Sequence, residues 1–104
     1  MKIYGLVIDQ DGRCIHYHSK LDIVANKCSI CHKYWACYEC HNQLSNHNFG
    51  PYNPNFISVL CGHCQQRFTY KDYESITSCN TCLQGFNPKC SLHKEIYTTQ
   101  KNPA

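Results

Sequence analysis

A chain of 104 residues with ten cysteines, seven histidines and a formal charge of +3 has room for one domain, or for two small lobes on a shared interface, and for little core. Leu, Ile, Val and Phe supply only about a fifth of the residues, a composition at which burial alone hardly offsets conformational entropy, so metal or disulfides must hold the fold. No stretch approaches the apolar length of a membrane span, and no basic run is longer than two residues, which argues against a nucleic-acid partner.

In chain order, residues 3–8 read as a strand that leads through an Asp11-Gly12 turn to Cys14 and His16. The apolar start soon meets Asp9, Asp11 and Arg13, too early for a secretory signal. The expected compartment is therefore the reducing cytoplasm, where clustered cysteines hold metal rather than one another. Residues 38–46, with Glu39, Gln43 and Leu44, suit a short helix. Phe49 to Phe56, with Gly50, Pro51, Asn53 and Pro54, is a turn-rich connector. Residues 56–60 and 67–70 read as two strands joined through Cys61-Gly62-His63-Cys64, a zinc knuckle on a hairpin; residues 71–77 suit a helical turn. Asn87-Pro88 punctuates the approach to Cys90, and residues 101–104 are an expected frayed end.

Seven short-spaced pairs offer metal donors: Cys14/His16, Cys28/Cys31, Cys37/Cys40, His41/His47, Cys61/Cys64, Cys79/Cys82 and Cys90/His93. Zinc has no ligand-field preference and takes four thiolate or imidazole ligands, so two such pairs make one tetrahedral site. Four Cys-x-x-Cys pairs without a βαβ pattern point to metal rather than to a redox motif. Cys61/Cys64 and Cys79/Cys82 have the spacing of a zinc ribbon. In the front half, Cys40 and His41 are neighbours; on a helix their side chains diverge by about 100°, so they serve different metals. That favours interleaving, with Cys14, His16, Cys37 and Cys40 on one zinc and Cys28, Cys31, His41 and His47 on another. The alternative joins Cys28/Cys31 to Cys37/Cys40 and leaves a three-histidine site, less typical of structural zinc. The expected architecture is a small zinc-stabilised domain of irregular α+β type: an interleaved two-zinc lobe (1–48), a connector (49–56), a zinc-ribbon-like hairpin lobe (57–97) and a tail (98–104).

Cys14-Ile15-His16-Tyr17, the two Cys-x-x-Cys pairs that follow, Cys40-His41, His47, Cys61-Gly62-His63-Cys64, Cys79-x-x-Cys82 and Phe86-Asn87-Pro88-Lys89-Cys90-x-x-His93 together resemble the CHY-type zinc finger over residues 14–93. The resemblance implies one zinc-binding module with an interleaved pair of sites followed by a third, hence about three Zn2+ per chain. Relatives of that type include the N-terminal part of a RING-type ubiquitin ligase and a small mitochondrial protein that assists import. No RING sequence follows residue 93, so ligase activity does not carry over. Where the family often has Trp shortly after the position of His47, this chain has Phe49; where it often has Pro inside the last Cys-x-x-Cys, this chain has Asn80. Both read as packing variations.

Cys90 and His93 are left over, open to three readings: buried structure, part of an additional metal site, or a thiol activated by its histidine. His18, His32 and His63 read as surface or supporting residues, and Tyr17, Tyr34, Trp35 and Tyr38 as aromatic packing around the first two zincs. Zinc-bound thiolates carry charge: sites with three, two and four cysteines contribute about −1, 0 and −2, which cancels the formal excess and again disfavours nucleic acid. Closed four-ligand sites leave no position for substrate or activated water, so no catalysis is expected. The leading expectation is a non-catalytic zinc module that binds a protein partner. The rivals are a thiol redox or metal-transfer protein and a nucleic-acid-binding finger.

Overall fold

The computed structural model describes residues 3–86 and Tyr97. Five short strands, β1 (Ile3–Tyr4), β2 (Val24–Lys27), β3 (Tyr34–Trp35), β4 (Ile57–Cys61) and β5 (Arg67–Thr69), form one mixed sheet in the order β1-β3-β2-β4-β5. Among the described residues only β1 and β3 pair in parallel. Two short helices, α1 (Tyr38–Leu44) and α2 (Tyr70–Tyr73), follow β3 and β5. The central β2–β4 pairing sets Val24 opposite Cys61 and Ala25 opposite Leu60, so the front and back halves of the chain share one sheet. No helix among the described residues is long and apolar enough to cross a membrane.

Strand alternation divides the side chains between two faces. Trp35, Val24, Val59 and Phe68 face a core whose other buried members include Cys14, Cys28, Cys37, Cys40, Cys61 and Cys79. This interior is built from sulfur as much as from hydrocarbon. Ala25, Tyr34 and Leu60 occupy the opposite face with Ile3 beside them. Gly12, at φ 87°, sits where a Cβ would come 2.7 Å from Ile3 Cδ1, and the preceding Asp11 carbonyl lies against Gly62.

Gly62 is the tightest of these contacts. A Cβ there would lie 1.8 Å from the Asp11 carbonyl oxygen and 2.8 Å from that of Ile23, both main-chain atoms. Its N–H donates to Ile23 O at 2.6 Å, which prevents a simple retreat. Gly62→Ala is expected to cost about 3 kcal/mol or more, read as a lowered thermal midpoint of the zinc-loaded protein. Gly85→Ala, where the Cβ meets only the terminal Cδ2 of Leu21 at 2.8 Å, is the control and is expected to cost less than about 1 kcal/mol. Equal midpoints for the two variants would refute this account of the Asp11 loop.

Several elements differ from expectation. The strand expected over 3–8 stops at Tyr4, because Gly5, at φ 128°, turns the chain onto Cys40; Val7 then makes an isolated bridge with Cys14. The helix expected over 38–46 ends at Leu44, with the Ser45 N–H donating to His41 O. The helical turn expected over 71–77 begins one residue earlier as α2, capped by Thr69 Oγ1, which accepts from the Asp72 N–H at 3.1 Å. β2 and β3 were not expected: Val24–Lys27 lacks alternation and Tyr34–Trp35 is only two residues, so both owe their existence to tertiary pairing.

Candidate metal centres

Three turns of one backbone conformation carry six of the candidate ligands. The N–H of the first cysteine donates to the carbonyl five residues on: Cys28 to Lys33 (3.0 Å), Cys61 to Gln66 (2.8 Å) and Cys79 to Gln84 (2.9 Å). The residue after the second cysteine donates back, His32 to Cys28 O, Gln65 to Cys61 O and Leu83 to Cys79 O, at 2.8–2.9 Å. Those three returning residues are the only described non-glycine residues at positive φ, 59°, 67° and 65°. Such left-handed side-chain-bearing positions are uncommon and are sustained where the surroundings over-determine them. The sequence hides this repeat, since little beyond the cysteine pair is shared.

The structure gathers Cys14, His16, Cys37 and Cys40 into one tetrad, Cys28, Cys31, His41 and His47 into a second, and Cys61, Cys64, Cys79 and Cys82 into a third, with the donor atoms of each within 4.8 Å of one another. Cys37 and Cys40 lie with Cys14 and His16, not with Cys28 and Cys31. The described cysteines are all free. Sulfur separations of 3.6 Å (Cys14–Cys37, Cys64–Cys79) and 3.7 Å (Cys61–Cys82) are far beyond a disulfide bond of about 2.05 Å. They match a tetrahedron instead. With Zn–S near 2.3 Å and Zn–N near 2.0–2.1 Å, its edges are about 3.8 Å for S···S, about 3.5 Å for S···N and about 3.3 Å for N···N. The observed S···N edges are 3.4 Å from His16 Nδ1 to both Cys37 and Cys40, 4.0 Å from His16 to Cys14, and 3.6 Å from Cys28 to His47 Nε2; His41 Nε2 and His47 Nε2 are 3.0 Å apart.

Each tetrad is oriented by main-chain and side-chain donors. Cys37 is the N-cap of α1, and its sulfur accepts from the Cys40 N–H at 3.3 Å, so one helical turn presents both thiols to the first centre. Leu6 N–H donates to Cys40 Sγ and Tyr17 N–H to Cys14 Sγ, each at 3.4 Å. In the second centre, Gly50 N–H donates to Cys28 Sγ at 3.2 Å and the Trp35 indole Nε1–H to Cys31 Sγ at 3.4 Å. Thr81 N–H reaches Cys79 Sγ in the third at 3.4 Å. Donors aimed at sulfur favour the thiolate form that a metal requires.

The Nδ1 atoms of His41 and His47 lie 3.0 Å and 3.1 Å from the Oδ1 atoms of Asn42 and Asn46. An Nδ1–H donated to these oxygens leaves Nε2 unprotonated and aimed at the centre. Asn42 Oδ1 also accepts the Phe49 N–H at 2.9 Å, fastening the connector to α1. Trp35 and Phe49 stand edge-on to the His41 ring at 5.0 and 5.2 Å, and Phe49 in turn meets Tyr97. Burial lowers the His41 pKa, in keeping with a neutral imidazole.

The electrostatics call for a cation. Contact with Cys37 draws the Cys14 thiol down to about 5, while the same contact, together with burial, pushes Cys37 up. Burial likewise raises Cys61 to about 12. Such closely packed sulfurs cannot all ionise unless a positive charge sits among them.

His18 is exposed, His32 Nδ1 lies 3.0 Å from Tyr52 Oη, and His63 Nδ1 lies 3.2 Å from Asp11 Oδ1; none joins a tetrad. Tyr34 and Trp35 are buried and Tyr17 and Tyr38 partly so; Trp35, Tyr17 and Tyr38 pack with the cysteine-rich core, whereas Tyr34 packs on the opposite sheet face. Cys90 and His93 lie outside the described residues. The supporting Asn42 and Asn46 were missed from sequence, although each directly adjoins one of the paired histidines.

The sequence model of the CHY zinc finger matches residues 14–97, a span that contains all three tetrads. The chain belongs to the CHY zinc finger family. It is 41% identical over 98 residues to an uncharacterised protein of Schizosaccharomyces pombe, covering 91% of this chain and 87% of that one. It is 38% identical to Helper of Tim protein 13 of Saccharomyces cerevisiae over 109 residues, covering 98% and 94%, and 38% identical to the protein of the same name in Kluyveromyces lactis over 99 residues, covering 92% and 87%. The three tetrads of this CHY zinc finger fit zinc, about three ions per chain. Family and relatives together suggest a non-catalytic module.

Proposed function

We propose that the twelve side chains of the three tetrads coordinate structural zinc, and that the zinc-held fold is a non-catalytic module that binds a protein partner. One observation carries this: each centre already has four protein donors, which complete a tetrahedron and leave no position for substrate or activated water. Residues 1–48 and 57–97 are proposed as two lobes of one domain, joined through 49–56. The name of two relatives, Helper of Tim protein 13, supports a helper role toward a Tim protein as the partner. Free cysteines throughout the described residues support a compartment that keeps thiols reduced, the cytoplasm being the simplest.

The test is metal analysis followed by titration calorimetry. Protein purified without added zinc is expected to hold about three zinc ions per chain, and to bind a Tim protein of its own cell only when metal-loaded. A metal content near zero overturns the ligand assignment. Equal binding by the chelated chain, or none by the loaded chain, overturns the partner reading.

A further inference from the structure

The three centres differ in how many of their cysteines are partly exposed. In the first, Cys14, Cys37 and Cys40 are all buried and only His16 is partly exposed. In the second, the partly exposed donors are Cys31 and His47; Cys28 is buried, and the Cys31 sulfur is engaged by the Trp35 indole N–H. In the third, two cysteines, Cys64 and Cys82, are partly exposed, while Cys61 and Cys79 are 0% exposed. Its short sulfur contacts each pair a partly exposed cysteine with a buried one: Cys82 with Cys61 at 3.7 Å and Cys64 with Cys79 at 3.6 Å.

We propose that the third tetrad is a peroxide-modified site, in which Cys64 and Cys82 are oxidised and Cys79 and Cys61 resolve them into two cross-knuckle disulfides, releasing that site's zinc. The proposal rests on the ligand assignment above. Susceptibility to oxidation follows thiolate character and access, and this is the only described centre in which four cysteines, two of them partly exposed, coincide. An accessible thiolate attacks hydrogen peroxide, the O–O bond breaks, and sulfenic acid and hydroxide form. The buried thiolate then attacks the sulfenic sulfur, the S–O bond breaks, and disulfide and a second hydroxide form. Each disulfide therefore consumes one peroxide and two thiolates, and Zn2+ leaves without changing oxidation state.

The sulfurs must close from 3.6–3.7 Å to about 2.05 Å, and the disulfides then join the same two turns that the metal joined. Reduction by a dithiol with zinc present restores the site. In the first centre all three cysteines are buried; the second offers one such pair, Cys31 with Cys28, and its partly exposed member is engaged by the Trp35 indole N–H.

The experiment uses the full zinc-loaded chain, and a Cys90→Ser chain to remove that cysteine's background. Zinc is counted first. Hydrogen peroxide is then added in steps, released zinc is read with a chromophoric chelator, and each step is mapped by differential alkylation and mass spectrometry. The first of the bound zinc ions is expected to leave as Cys61, Cys64, Cys79 and Cys82 lose their alkylatable thiols, at least about ten-fold faster than Cys14, Cys37 and Cys40. Disulfide-linked peptides should join Cys61 to Cys82 and Cys64 to Cys79, and dithiothreitol with zinc should reverse the change. Release of the first zinc alongside modification of Cys14, Cys28, Cys31, Cys37 or Cys40, simultaneous loss of all zinc, or retention of zinc while peroxide is consumed would each overturn the proposal and leave the ligand assignment standing. A chain holding no zinc at the outset would overturn both.

Discussion

Zinc removal under reducing conditions is expected to unfold the whole chain, seen as collapse of dispersed amide signals in a proton–nitrogen correlation spectrum when EDTA and a reductant are added. The interior explains the size of the effect. The described core includes six buried cysteines, Cys14, Cys28, Cys37, Cys40, Cys61 and Cys79, among few large aliphatic residues, of which Ile23, Val59 and Leu60 are almost wholly enclosed. Without metal, these thiols become small, crowded polar groups with little else behind them. Structural zinc contributes on the order of 10–16 kcal/mol per site, as much as or more than the about 5–15 kcal/mol that separates a typical domain from its unfolded state. Strands of two to five residues and helices of four and seven have no stability of their own to draw on. Re-adding zinc should restore the spectrum. A dispersed spectrum that survives chelation would show that the hydrocarbon contacts suffice, contrary to the composition of this core.

The grouping of the three tetrads was legible in the sequence because coordination chemistry leaves a local mark: a Cys-x-x-Cys pair is a short-range signal, and the adjacency of Cys40 and His41 carried topology as well, since neighbours on a helix do not face one centre. The hairpin around Cys61 and Cys64 was equally readable, with β-branched and aromatic residues on both sides. The similar turn at Cys28 and Cys31 was not read as a hairpin, because Asn26 and Lys27 interrupt its first strand and only Tyr34 and Trp35 form its second. Its strands are stabilised from outside, by β4 on one side and β1 on the other. Gly62 gave no warning either. Its constraint comes from Asp11, about fifty positions away, and a contact at that separation has no local signature. Asn42 and Asn46 were passed over for another reason: an asparagine beside a histidine acquires meaning only once the ring nitrogen that faces the metal is known.

Interleaving makes the centres unequal under mutation. Cys40→Ser is expected to strip about two of the three zinc ions from the chain, whereas Cys82→Ser is expected to strip about one, measured by atomic emission on desalted protein. Cys40 belongs to the first tetrad and His41 to the second, both fully buried on α1, a helix of seven residues whose N-cap is itself the ligand Cys37. Losing the first metal frees Cys37 and, with it, the cap and first turn of α1. A helix this short does not hold its shape alone, so His41 loses its direction toward Cys28, Cys31 and His47. Cys28 and Cys31 also lie in the chain between Cys14 and Cys37, inside the loop that the first metal closes. The third tetrad shares no helix with the others and draws all its donors from residues 61–82, so its collapse leaves the interleaved pair in place. Loss of one zinc from each variant would mean that α1 stays formed without its metal-bound cap, and that the two front centres fold independently.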